Sequence, residues 1–399
     1  MPQVATHRDA LFQPARDLVR KVHCPCCWHG FAPQESLFIA EDPRLLGDPV
    51  AGPTEPIRFL PSRFDMTGAA IDPDGARCTR LACPRCRQEF PRAMIEVPAT
   101  IASVVGSPGA GKSHLLASAI WSMRRQGAML GLEVSDAEPR MHARIHAMEN
   151  ALFGSRPSAA PPRLAKTETA GGDGYREVRV AGRSETVPAP FMFTVRHDTA
   201  RNEARLLVLY DNAGEHFLPG ADEATRPVTR HLGRSEFAIF VLDPTQDDAF
   251  RAGLGLPANA VGASRQDVVL QEMASRMRQH RGRRTDEPCD VPLVVALAKA
   301  DLWAQALGIS LQREPYLAAG GVDRQSLADV HGTLVRFCER TAPEFLATVR
   351  AAFPRCLFVP CSALGRAAGA SGVEPQWAAA PFVAAWEWRK GGRLEDFVP

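Results

Sequence analysis

The chain has 399 residues, 45% hydrophobic and 23% charged, which is ordinary globular composition with enough apolar material for one large or two smaller cores. Its 47 basic and 45 acidic side chains leave a formal charge of +2 and a pI near 8.1, so no global field draws it to nucleic acid or anionic lipid. No run of about eighteen apolar residues occurs, and Arg8, Asp9, Arg16 and Asp17 interrupt the N-terminus where a signal peptide would be apolar, so the expectation is a cytoplasmic protein without a membrane span.

The first element is a cysteine module. Six of the ten cysteines lie between Cys24 and Cys86, five of them in Cys24-Pro-Cys-Cys27 and Cys83-Pro-Arg-Cys86 and the sixth at Cys78, a clustering that favours metal over disulfides. Two such turns supply four thiolates at tetrahedral spacing, so Cys24, Cys27, Cys83 and Cys86 are the expected ligands of a structural Zn2+, with Cys26, Cys78, His23 and His29 as possible replacements. A closed four-thiolate shell has no open catalytic position. The stretch between the pairs, rich in Pro and Gly from Asp42 to Gly75, carries Asp42, Asp48, Glu55, Asp65, Asp72 and Asp74, which argues against nucleic-acid binding. Residues 1–97 are therefore expected to form a zinc-ribbon module with a loop-rich insertion, and 98–399 a separate domain.

The second region reads as a three-layer α/β domain. Apolar runs recur at Thr100 to Val105, Arg205 to Tyr210, Phe237 to Leu242, Pro292 to Ala298 and Cys356 to Val359, in the manner of a buried parallel sheet with helices between. Leu115, Leu116, Ala119, Ile120 and Met123 share one face of a helix stopping near Gly127. Stretches near 150–190 and 251–290 look like insertions, and Ala159 to Glu185 is expected to be mobile. The run Phe191 to Arg196 precedes the Arg205 run by only a short polar link, too short for a helical crossover, so these two strands are expected to pair antiparallel.

The chemistry-bearing residues sit at the ends of those strands. Gly106, Ser107, Pro108, Gly109, Ala110, Gly111, Lys112 and Ser113 form a P-loop between strand and helix: glycines let backbone N–H groups converge on phosphate, Lys112 neutralises it, and Ser113 ligates Mg2+. His114 follows in the first turn. Lysine is rare in this chain, at Lys21, Lys112, Lys166, Lys299 and Lys390 only, so its use here is pointed. Asp211-Asn-Ala-Gly214 ends the next apolar strand, placing Asp211 as a Mg2+ ligand and Gly214 as a γ-phosphate sensor. Lys299-Ala-Asp301 ends another; its carboxylate accepts from guanine N1 and N2, a pair of donors that adenine lacks. Ser362 and Ala363, after the last run, bring backbone amides to the guanine oxygen. Thr167, preferred over Thr169 and Thr186, is the expected switch threonine over Mg2+.

In this order the motifs Gly106–Ser113, Asp211–Gly214, Lys299–Asp301 and Ser362–Leu364 resemble those of the translation-factor-related (TRAFAC) class of GTPases, over roughly residues 98 to 390. The upstream Cys-Pro-x-Cys module and the ending Pro375-Gln-Trp377 to Trp386-Glu-Trp388 resemble the bacterial double-GTPase 2 type within that class. The resemblance implies a small-GTPase-like, mostly parallel sheet, Mg2+-dependent binding of GTP and GDP, hydrolysis, and a switch signalling to a protein partner. Two departures weigh against a simple transfer. Ala298 stands where the class has Asn or Thr, removing a tie between base loop and P-loop, and Glu215-His216 replaces the usual water-positioning Gln, so either side chain takes that role or hydrolysis is slow. An ATPase on the same fold and a non-hydrolysing assembly module remain open. Outside this set, the run Arg276 to Arg284 reads as a solvated helix end, Trp377, Trp386 and Trp388 as a helix docked on the sheet, and Cys289, Cys338, Cys356 and Cys361 as core thiols.

Overall fold

The computed structural model describes residues 18–154, 164, 174–197, 204–218, 226–256, 265–317, 321–365 and 372–389. Its centre is a seven-stranded sheet. The strands are β1 (Ala99–Gly106), β2 (Leu132–Asp136), β5 (Phe191–His197), β6 (Arg205–Asp211), β7 (Phe237–Leu242), β8 (Leu293–Leu297) and β9 (Cys356–Pro360). A separate hairpin pairs β3 (Tyr175–Val180) with β4 (Arg183–Pro188). The sheet order is β2-β5-β6-β1-β7-β8-β9; β5 pairs antiparallel with both neighbours and every other pair is parallel.

The short link before Arg205 thus makes the expected antiparallel pair. The buried runs of β7 and β8 are apolar at every position because both faces are covered. Edge strand β2 was not foreseen, and the hairpin β3–β4 corrects the expectation of a mobile stretch over its described part. In that hairpin Val178 and Val187 are buried and the remaining positions are mostly polar, a half-covered ribbon whose apolar signal is only a few residues deep.

Helix α1 (Lys112–Arg125) buries Leu115, Leu116, Ala119, Ile120 and Met123, the face read from the sequence. Further helices are α2 (Ala143–Phe153), α3 (Gln266–His280), α4 (Arg324–Thr341), α5 (Pro343–Ala352) and α6 (Ala380–Trp388). In α6 and the turn before it Trp377, Trp386 and Trp388 are buried in the main core, so these aromatics dock inward. The arginine run is self-paired: Arg276 with Glu272, Arg281 and Arg283 with Asp290, Arg284 with Asp286. Cys289, Cys338 and Cys361 are buried and Cys356 half-buried. No described helix is long and apolar enough to cross a membrane.

Successive side chains of a strand point to opposite faces, and along β6 this divides the molecule. Leu207 and Leu209 enter the main core, whereas Leu206, Val208 and Tyr210 join a second core that also contains Val22, Phe31, Phe90 and the cysteines of the N-terminal module. The module is therefore the layer covering that half of the sheet. Tyr210 donates to the Pro25 carbonyl at 2.6 Å and lies between Trp28, 5.6 Å away, and His231, stacked at 4.6 Å.

Candidate functional site

Each cysteine pair forms the same turn. The Cys24 amide donates to the His29 carbonyl at 2.9 Å and the Cys83 amide to Gln88 at 3.0 Å, while Trp28 and Arg87 both adopt φ near 61° to close the loop. Backbone N–H groups of Cys26 and Arg85 point at the Cys24 and Cys83 sulfurs, each at 3.4 Å. The Cys24–Cys86 and Cys27–Cys83 sulfurs are 3.6 and 3.7 Å apart, and all four lie within 4.8 Å of one another. With Zn–S bonds of about 2.3 Å a tetrahedral shell has edges of about 3.8 Å, so the four thiols fit zinc. The alternatives fall away: Cys26 is not in the cluster, and Cys78 donates to Asp72 and the Ala76 carbonyl. The insertion's acids build turns instead of a field. Asp48 accepts from the amides of Val50, Ala51 and Arg58, and Asp72 from those of Glu41, Asp42, Asp74 and Ala76. Burial opposes charge on Asp72, yet these four amides hold its carboxyl below the usual carboxylate range.

At the other end of the sheet, β1 runs into the glycine loop and α1. Gly109 and Gly111 take φ of 75° and 91°, which only glycine adopts without strain. Lys112 is buried and its Nζ donates to the Gly106 and Ser107 carbonyls, both at 2.9 Å. Ser113 Oγ donates to Asp211 Oδ2 at 2.8 Å. Asp211 is itself buried, and its Oδ1 has no hydrogen-bond partner among the described residues. An orphaned carboxylate oxygen beside a serine hydroxyl fits a hard divalent cation. Gly214 packs on the loop so closely that a Cβ there would lie 2.5 Å from Pro108 N. Pro108, Gly109, Gly111, Lys112, Ser113, His114, Leu164, Ala213, Gly214 and Glu215 line one cavity of about 230 Å³.

The two residues after Gly214 part company. Glu215 lines the cavity, whereas His216 is buried, with its Nε2 3.0 Å from the Tyr175 hydroxyl. That hydroxyl accepts from the Ala213 amide at 3.0 Å and so offers its proton to His216. Burial, reinforced by the Arg276 charge, lowers the His216 pKa and keeps the ring neutral. Thr167 and Thr169 lie outside the described residues; Thr186 pairs with Glu177 in the hairpin β3–β4. His114 Nε2 accepts from the Leu164 amide at 3.3 Å.

Lys299, Asp301, Ser362 and Ala363 form a second cluster, tied to the first but not lining the same cavity. The Ser362 hydroxyl donates to Asp301 Oδ1, and Ser118 of α1 donates to the Ala363 carbonyl at 2.7 Å. Burial pushes the Asp301 carboxyl up, while Ser362 and Lys299 favour its charge. Ala298 supplies no side-chain tie, but a relay does. Lys299 Nζ meets buried Asp243 at 2.6 Å and Thr245 Oγ1 at 3.1 Å. Gln246, one residue on, donates to the Pro108 carbonyl at 3.1 Å and accepts from Ser107 Oγ at 2.8 Å. Base loop and P-loop are thus joined through the Asp243–Gln246 turn.

Sequence reasoning missed Arg144, Tyr175, Asp243 and Gln246. Asp243 had a readable signal, an acid at the tip of a buried strand. Arg144 and Tyr175 had none, because α2 and β3 meet the site only in the folded chain. Arg144 Nη2 lies 3.1 Å from Asp211 Oδ2.

No protein-family profile matches the chain, and the search of curated proteins found no match.

Proposed function

We propose that this chain is a Mg2+-dependent GTP-binding protein of the TRAFAC type, near its double-GTPase 2 branch, that hydrolyses GTP and works as a switch for a protein partner. The observation that carries the reading is the Lys112–Ser113–Asp211 constellation: an amine held by two carbonyls of its own loop, and a hydroxyl paired with a buried carboxylate that keeps one oxygen open. In this reading the P-loop amides and Lys112 hold the β and γ phosphates, and Ser113 and Asp211 hold Mg2+, which supplies charge neutralisation at the phosphates. Gly214 reads the γ-phosphate by its N–H, and Glu215 at the cavity wall orients water. Asp301, fixed by Ser362, accepts from guanine N1 and N2. The four thiolates hold zinc as a structural ion, with chemistry confined to folding.

ATP remains the second reading because Ala298 stands where the class has Asn or Thr, and because Asp301 Oδ1 already accepts from the Ser362 hydroxyl. The two separate in a displacement assay with purified protein. A fluorescent guanine nucleotide displaced by GDP and GTP but not by ATP supports the first reading, and equal displacement by ATP overturns guanine selectivity.

A further inference from the structure

Arg144 is the second residue of α2 and reaches Asp211, where it meets the same carboxylate oxygen as Ser113 of the P-loop. Its guanidinium stacks 4.6 Å over the Phe191 ring, and the backbone at Gly174 closes on it so that a Cβ there would be 3.4 Å from its central carbon. Nη2 shares Asp211 Oδ2 with Ser113 Oγ, while Nη1 is buried without a hydrogen-bond partner among the described residues. The arginine therefore holds a cation at the place where the two proposed Mg2+ ligands meet.

Lys112 and Arg144 bring two cations to this point, one held by the P-loop carbonyls and the other by Asp211. A Mg2+-bound triphosphate adds about −2 and more develops on the β–γ bridging oxygen during transfer.

We propose that Arg144 is a catalytic arginine supplied within the chain: once a divalent cation takes Asp211, its guanidinium turns to the terminal phosphate and stabilises the transferring phosphoryl group. The inference rests on the GTPase reading above. The water oxygen forms a bond to the γ-phosphorus, and the bond to the β–γ bridging oxygen breaks with its electron pair on that oxygen. GDP and inorganic phosphate leave, with the released proton going to phosphate or solvent. Arg144 exchanges no atom; N–H groups of its Nη1 and Nη2 meet the charge on the γ and bridging oxygens.

The test is made on the full chain loaded with zinc, comparing wild type, Arg144→Ala and Arg144→Lys, with folding checked by thermal melting. Two quantities are read: capture of GDP with aluminium fluoride and Mg2+ by isothermal titration, and single-turnover cleavage of bound GTP. Wild type is expected to capture GDP–aluminium fluoride with no partner present. Arg144→Ala should keep GDP affinity within about 3-fold, lose fluoride-dependent capture by at least about 10-fold and slow cleavage by about 100-fold or more. Arg144→Lys, with the charge but without the planar fork, should fall between, and it decides the matter should the alanine variant fail to fold. Capture by Arg144→Ala, or full capture by Arg144→Lys, at the wild-type level overturns the inference. So does a wild type that binds GDP but captures no fluoride complex alone, which places the arginine on a partner. A wild type that binds no guanine nucleotide removes the function proposed above, a result distinct from the other two.

Discussion

Lys112 donates to two carbonyls of its own loop, at 2.9 Å each. An ammonium held by neutral dipoles in a buried position gains much more from a phosphate anion than it loses in leaving them. Lys112→Ala is therefore expected to weaken nucleotide binding by about 100-fold or more, the equivalent of roughly 2.7 kcal/mol, in the same displacement assay; unchanged affinity would refute the P-loop reading. At this scale the sequence was informative where one segment does the work. Lys112, Ser113, Asp211 and Gly214 lie on a single loop or strand tip each, so local spacing singled them out, and the fold brings them together. Arg144 and Tyr175 act through the docking of α2 and β3, which no local spacing encodes, and Tyr175 lay in a stretch whose polar residues hid a hairpin.

Among the elements, the turn after β7 carries the tie that Ala298 does not. Its Gln246 is the only described side chain that both donates to the Pro108 carbonyl and accepts from Ser107. Gln246→Ala leaves both groups to find new partners and frees the P-loop from the base loop; GDP affinity is expected to fall about 10-fold while the melting temperature drops only slightly, since the loss is about one net hydrogen bond. Equal affinity in the variant would show that Lys299 and Ser118 suffice. A different element pair reports on acid stability. His331 of α4 accepts from the Phe358 amide of β9 at 3.0 Å, and burial, with the Arg350 charge, lowers its pKa to about 4. As pH falls below the unfolded value near 6.5, the unfolded chain binds a proton that the folded chain refuses. Stability is therefore lost between pH 6.5 and about 4, at up to roughly 1.4 kcal/mol per pH unit. His331→Gln keeps the acceptor and removes the proton, so denaturant unfolding of the variant should show a pH slope smaller by one proton over that window. An identical slope would mean the ring is protonated in the folded state. These strands were legible from their apolar runs; β2, five residues long at the sheet edge, was not.

Across the whole molecule, the boundary near residue 97 separates two sequence patterns but not two cores. The cysteine turns share a core with Leu206, Val208 and Tyr210 of the central sheet. With zinc in the four-thiolate cluster, as proposed, its removal should expose one face of the sheet: a chelator, or Cys83→Ser, is expected to lower the melting temperature of the entire chain in a single transition by more than about 5 °C. A module that melts alone, leaving the sheet transition in place, would show that the shared core contributes little. Composition could not reveal this merging, because an apolar residue facing a helix and one facing a metal turn look the same in sequence.

Tyr210 and Asp211 are neighbours on β6 with opposite outlooks, one bonded to the turn that carries Cys24 and Cys27, the other to Ser113. Cobalt(II) placed in the four-thiolate shell would turn that adjacency into a colour. Zinc is spectroscopically silent, whereas the ligand-field and thiolate charge-transfer bands of cobalt respond to small changes in the angles between sulfurs. Addition of Mg2+ and nucleotide to the cobalt-loaded chain should then shift its visible absorption from the far side of the sheet, and a spectrum that stays fixed would mean that strand β6 holds its place whatever Asp211 binds.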